Sequence, residues 1–168
     1  MIDVKSERGT TLVETIVATS LLLVVMVGLL SMAAVATVYT ENHGHLEART
    51  TEYAQDKMEQ LLVLVYTDGA SDTTMFPAAT TGGTGLAVGG SSDPNTPVNG
   101  YVDWLEQDGD LLGGGTTPPT TWFYKRVWQI SNLTSGVKQI TVTASVKSAV
   151  GNAIVPKSTV AALKASKF

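Results

Sequence analysis

The chain contains no cysteine. That excludes zinc fingers, thiolate catalysis and a disulfide framework, so any exported part must hold its fold without covalent staples. It also lacks an excess of basic charge. Eleven Lys and Arg stand against 15 Asp and Glu, a formal net charge of −4. Removing residues 1–9 takes away Lys5 and Arg8 together with Asp3 and Glu7 and leaves that balance unchanged. Nucleic-acid-binding domains carry a basic patch, and no nucleic-acid partner is expected here. Proline is missing between Met1 and Phe76, and no charged residue falls between Thr15 and Thr40.

What is present is unevenly spread. The 168 residues suit one domain with an appendage. Hydrophobic residues make up 43% of them, but a large share lies between Leu12 and Val38, which leaves the remainder a modest core. The 26 uncharged residues from Thr15 to Thr40 include the nearly continuous aliphatic run Leu21 to Leu30. A bilayer core requires roughly 20 apolar residues in a helix, and this segment would span roughly 39 Å at about 1.5 Å per residue. A chain of this length has too little interior to bury such a helix on every side. A membrane-spanning helix is therefore expected, with membrane lipid as one partner.

Lys5 and Arg8 precede the run, whereas Glu41, Glu47 and Arg49 follow it, with His43 and His45 between. The positive-inside tendency puts residue 1 in the cytoplasm and the rest outside. An ordinary secretory signal is cut after its apolar stretch, at a small-residue site. The sequence Glu41-Asn42-His43 offers no such site. The distinctive feature lies ahead of the run, in Arg8-Gly9-Thr10-Thr11-Leu12-Val13-Glu14: a charged leader ending in glycine, four uncharged residues, a carboxylate, then the apolar stretch.

This arrangement, over about residues 5–40, resembles the class III signal of type IV prepilins and of the pseudopilins of type II secretion. The resemblance implies cleavage by a prepilin peptidase between Gly9 and Thr10, N-methylation of Thr10, and an assembly role for Glu14 as the fifth mature residue. Thr10 stands where the family usually has Phe or Met. A carboxylate at a helix start gains ~0.3–1 kcal/mol from the helix dipole. Unpaired in lipid it costs about 2.5–3.5 kcal/mol on insertion scales. The resemblance implies that Glu14 meets the terminal amine of a neighbouring subunit, which would offset that cost and set the stagger of subunits. Gly28, Ser31, Ala33, Ala34 and Ala36 are small enough to allow close helix approach. Many major pilins carry a proline midway along this helix. Its absence leans the resemblance toward a minor pilin or pseudopilin.

Beyond Thr40 the pattern turns amphipathic. Leu46, Tyr53, Ala54, Met58, Leu61, Leu62 and Val65 recur near helical spacing among charged residues, which predicts one continuous helix from about Thr11 to Val65. Gly44 interrupts it, and glycine costs a helix about 1 kcal/mol relative to alanine. Asp68-Gly69 marks its end. Residues 67–121, rich in Gly, Thr, Ser and Pro, read as a long variable loop whose Gly113-Gly114-Gly115 run breaks helix and strand alike. A short strand or turn is expected at Tyr101 to Leu105. From Trp122 onward the chain reads as antiparallel β. Trp122, Tyr124, Trp128 and Ile130 are placed on one face with Arg126. Ile140, Val142, Ala144 and Val146 alternate with polar residues, and a third strand near Ala153–Leu163 is an edge or carries a bulge because of Pro156. The segment Tyr124 to Ile130 followed by Val137 to Val142 is similar to the carboxy-terminal part of minor pilins of the modification-protein type.

The expected fold class is α+β, a long amino-terminal helix on a small antiparallel meander of three or four strands. The expected divisions are a leader (1–9), the membrane and assembly half of the helix (10–40), its amphipathic half (41–66), the variable loop (67–121) and the sheet (122–168). Asp103, Asp108 and Asp110 cluster about Gly109 and are calcium candidates, but their spacing departs from the EF-hand loop, and a solvated acidic turn with no metal is the expectation. Without cysteine, and with both histidines near the membrane, no nucleophile–base set forms and no enzyme is expected. The resemblance implies a minor type IV pilin that primes, caps or decorates a filament. Its partners would be other pilin subunits, prepilin peptidase and an inner-membrane assembly platform. It would sit in the inner membrane with a periplasmic head, then at the cell surface. The alternatives are a pseudopilin and, from a different class, a permanently anchored protein that binds calcium or another extracytoplasmic ligand through residues 67–121.

Overall fold

A computed structural model describes residues 11–67, 85–147 and 155–166. Gly9 and Thr10, Asp68-Gly69 and the Gly151-Asn152 turn lie outside the described residues. Helix α1 runs unbroken from Leu12 to Val63. No proline interrupts it, and the helix passes through exposed Gly44, whose cost of about 1 kcal/mol does not break a 52-residue helix. The contacts divide the chain into two units, Met1–Glu41 and Asn42–Phe168.

The second unit is a helix packed on an antiparallel sheet. Its strands are β1 (Gly89–Gly90), β2 (Val102–Leu105), β3 (Leu111–Gly114), β4 (Tyr124–Thr134), β5 (Val137–Val146) and β6 (Lys157–Ala165). They lie in the order β3-β2-β4-β5-β6, with β1 also on β4. The eleven residues of β4 are enough to hold β2 along Tyr124–Val127 and β1 against Gln129 and Ile130. The sheet is therefore larger than the expected three or four strands. The stretch read as a loop contributes β1, β2 and β3, including a strand at Leu111–Gly114 where the glycine run predicts a break. Pairing to a neighbouring strand overrides weak local preference. At Gly90, with φ of +83°, a Cβ would lie 2.1 Å from the Trp128 carbonyl oxygen and 2.8 Å from the Tyr101 ring. Only glycine lets Tyr101 close over that backbone.

Residues 42–63 of α1 bury Tyr53, Ala54, Met58 and Leu61 against Tyr124, Trp128 and Ile130 of β4 and Ile140, Val142, Ala144 and Val146 of β5. The alternation read from the sequence is the one that forms, with period two setting the buried face. Trp122 differs from the expectation. It precedes β4 after a turn, so the strand's alternation does not reach it, and it packs edge-on to Trp104 at 4.7 Å beside the smaller core of Val102, Trp104 and Val127. Strand β6 begins directly after Pro156 and forms a sheet edge, as the proline requires. It also finishes the helix. The last turn of α1 has no basic residue of its own, and Lys164 of β6 donates to the carbonyl oxygens of Leu62 and Leu64, as a cation at a helix carboxy terminus should.

A set of charges lies inside this core. In the register of β2 and β4, Asp103 faces Arg126. Arg126 donates to both carboxylate oxygens, Nε to Oδ1 at 2.8 Å and Nη2 to Oδ2 at 2.9 Å. Lys57 of α1 reaches the same Oδ2 at 2.6 Å, and its ammonium lies 4.3 Å from the centre of the Trp128 ring. Lys57, Asp103 and Arg126 are 0%, 1% and 3% exposed. Two buried cations face one buried carboxylate, and half-exposed Asp56 balances the sum through Arg126 Nη1 at 2.7 Å. Burial by itself would raise the Asp103 carboxyl, but the attraction of Lys57 and Arg126 outweighs it and holds the group below its usual range. Burial pushes the Lys57 ammonium down, against the pull of Asp103.

Removing the central carboxylate strands two buried cations, so Asp103→Ala should lose about 3–5 kcal/mol of stability in denaturant unfolding. Replacing Lys57, Asp103 and Arg126 together by Met, Leu and Met should cost far less, because no buried charge is left without a partner and Asp56 is half exposed to water. Because Asp103 binds a proton more weakly folded than unfolded, its contribution is complete above the ordinary carboxylate value of about 3.9 and is lost as pH falls through the lower folded value. Asp103→Asn should flatten that acid limb; an unchanged pH profile would show that the triad does not couple to folding.

Candidate functional site: the exposed apolar helix and its first turn

The first turn of α1 is built by Thr11. Its hydroxyl oxygen accepts the Glu14 N–H at 3.3 Å, and its carbonyl accepts the Thr15 N–H at 3.2 Å. Thr11 is therefore the cap, and Glu14 occupies the third helical position, the Thr-x-x-Glu spacing of a capping box. The sequence reading gave Thr11 no role, although that spacing was the available signal. Glu14 is exposed and is the only acidic residue of the first turn, where its charge meets the positive end of the helix.

Beyond it the apolar side chains point outward all round. Leu12, Leu23, Val24, Leu30, Met32 and Val35 are all more than half exposed. Six Ser and Thr hydroxyls interrupt this surface, and each is satisfied within the helix. Thr15, Thr19, Ser20, Ser31, Thr37 and Thr40 donate to carbonyls three or four residues back, at 2.7–2.9 Å. A polar group that enters hydrocarbon without a partner is costly, so these back-bonds suit the segment to an apolar surround. α1 is long and apolar enough to cross a membrane. At Gly28 a Cβ would meet nothing within 4 Å, so the backbone there is open to close approach.

The calcium candidates are not gathered. Asp103 is buried with both oxygens held by Arg126 and Lys57, whereas Asp108 and Asp110 sit in an exposed turn, Asp108 accepting the Asp110 N–H at 3.4 Å. Among the described residues no three His, Cys, Asp or Glu side chains are placed to hold a metal ion. His43 pairs with Glu47 at 3.4 Å on the helix surface, one turn apart. Sequence reasoning also missed Lys57 as a buried group. A lysine one residue before Met58 on the buried stripe was the only hint.

Comparison with family models, with curated proteins and with solved structures finds no match to this chain. The class that the fold defines is thus an α+β protein with one long apolar amino-terminal helix on an antiparallel sheet.

Losing the cap should loosen the first turn. Thr11→Ala removes about 1 kcal/mol, so the Glu14 amide should exchange its hydrogen roughly fivefold faster in detergent micelles, while the amides of residues 21–30 stay unchanged.

Proposed function

We propose that the chain is a minor subunit of a type IV pilin-like filament, inserted in the inner membrane by residues 10–40 and extracted into a fibre with its head outside the cytoplasm. The observation that carries this reading is Glu14, set in the first turn of α1 ahead of 26 uncharged residues and shortly behind the Gly9–Thr10 junction. A lone carboxylate at that depth needs a partner, and cleavage after Gly9 would create one at the ammonium of Thr10. Thr11 then starts the helix immediately behind the new terminus, which supports a defined path for that amine. The apolar surface, satisfied hydroxyls and open Gly28 support lateral packing with helices of other subunits. The missing proline favours a minor over a major subunit. A secretion pseudopilin shares all of these features, and the neighbouring genes, a run of pilin genes or a secretion operon, distinguish the two. In this reading the work is structural, prepilin peptidase and an assembly platform are the transient partners, and neither catalysis nor a cofactor is involved.

Co-expression with a prepilin peptidase should shorten the chain by residues 1–9, seen as the corresponding mass loss. A chain that stays whole would favour a permanently anchored binding protein. Glu14→Val should still insert and still be cut, yet should enter filaments at least tenfold less often by immunogold counting; wild-type incorporation would remove the pairing role.

A further inference from the structure

On the sheet face turned away from α1, the strand register sets Lys125 of β4 opposite Ser145 of β5, and Ser145 opposite Lys157 of β6. Lys147 follows on the same side two residues later. Neighbouring strands lie about 4.8 Å apart, so three of the chain's eleven basic residues gather around one cleft of about 300 Å³, walled by Pro94, Trp122 and Val155. The gathering is notable in a chain whose net charge is −4.

Two of the three ammoniums are held in place by neutral groups. Lys147 lies 5.3 Å from the centre of the Trp122 ring and donates to the Thr120 carbonyl at 3.3 Å. Lys125 lies 5.6 Å from Trp104 and 5.8 Å from Trp122 and donates to the Pro94 carbonyl at 2.5 Å. Among the described residues, none of the three has a carboxylate within 4.0 Å. Asp93 acts on Lys125 only from a distance, with its own carboxylate accepting from both the backbone and side chain of Asn95. Burial pushes the Lys125 ammonium below the usual lysine range, with Asp93 opposing the shift, and an anion in the cleft would relieve that cost. Aromatic rings and carbonyls hold Lys125 and Lys147 in place before any ligand arrives, so little is lost in ordering these two, whereas Lys157 is exposed at the rim.

We propose that this cleft binds one ring of an anionic saccharide, its carboxylate or phosphate held by Lys125, Lys147 and Lys157 and its carbon skeleton lying against Trp122 and Val155. Small-ligand sites pair apolar walls with a few placed polar groups and begin at about 300 Å³. A bare oxyanion would leave the apolar wall unused. A nucleic acid would call for a long basic track, which the acidic chain does not provide. Ser145 and Asn95 line the same cleft and are suited to sugar hydroxyls. The site stands whether or not the chain is cut and assembled.

The test titrates the full chain in detergent micelles with trigalacturonic acid and with mannose 6-phosphate, against neutral galactotriose, inorganic phosphate and a single-stranded DNA octamer, read by calorimetry. At least one of the two anionic sugars should bind saturably and at least tenfold more tightly than any of the three comparators. The double variant Lys147→Gln, Lys157→Gln changes two exposed side chains and spares the core, and it should weaken that binding at least tenfold; Trp122→Ala should weaken it as well. The proposal is overturned if neither acidic sugar binds, if the double variant binds as the wild type does, or if galactotriose, phosphate or DNA binds equally well.

Discussion

Three buried charges fix how the helix lies on its sheet. Lys57 projects from α1 into a largely apolar core, and it can stay there only because Asp103 meets it at 2.6 Å. Asp103 in turn is oriented by two parallel hydrogen bonds from Arg126, its neighbour in the strand register. A slip of one residue in that register would turn either Asp103 or Arg126 to the opposite face. It would leave the other charges buried without partners, at several kcal/mol each. Apolar packing alone tolerates such shifts more readily, since Leu, Val and Met contacts can be exchanged for similar ones. The charges therefore contribute specificity more than stability. They join residues 57, 103 and 126, so β2, drawn from the glycine-rich middle of the chain, becomes part of the same unit as α1 and β4.

The two stretches of α1 meet opposite demands with one backbone conformation. In residues 42–63 a stripe of Tyr53, Ala54, Met58 and Leu61 is buried and the remaining positions are wet. In residues 12–38 the apolar side chains are exposed on all sides, and the hydroxyls turn back onto the helix's own carbonyls. A large exposed apolar surface of this kind marks a site of contact with a membrane or another protein. The one charge within it, Glu14, lies in the first turn, where the helix dipole favours it. The proposed assembly role and the capping arrangement are compatible, because Thr11 bonds the Glu14 backbone N–H and leaves its carboxylate exposed.

Much of this was legible in advance. The extent of α1 followed from an uninterrupted apolar run and the stripe after Thr40, because helical periodicity is local. The buried faces of β4 and β5 followed from strict alternation. In the stretch before Trp122, the short strand expected at Tyr101 to Leu105 forms as β2, but β1 and β3 were not legible. Gly113-Gly114 has no side-chain pattern from which to infer a strand, and β1 is two glycines long; each exists because a neighbouring strand pairs with it, β2 with β3 and β4 with β1. The expected solvated acidic turn forms at Asp108 and Asp110 but not at Asp103, for a related reason. Asp103, Asp108 and Asp110 are close in sequence, but strand alternation sends Asp103 inward to Arg126, while a turn leaves the other two in solvent.

By itself the sequence determined what is set locally: a long helix, an uncharged segment able to span a membrane, an α+β class, and the glycine-then-carboxylate junction on which the functional reading rests. The tertiary structure decided which charges are buried, which strand each glycine joins, and that Lys125, Lys147 and Lys157 share one cleft. These depend on contacts between residues tens of positions apart, and their energies come from burial and pairing that no short window of sequence contains.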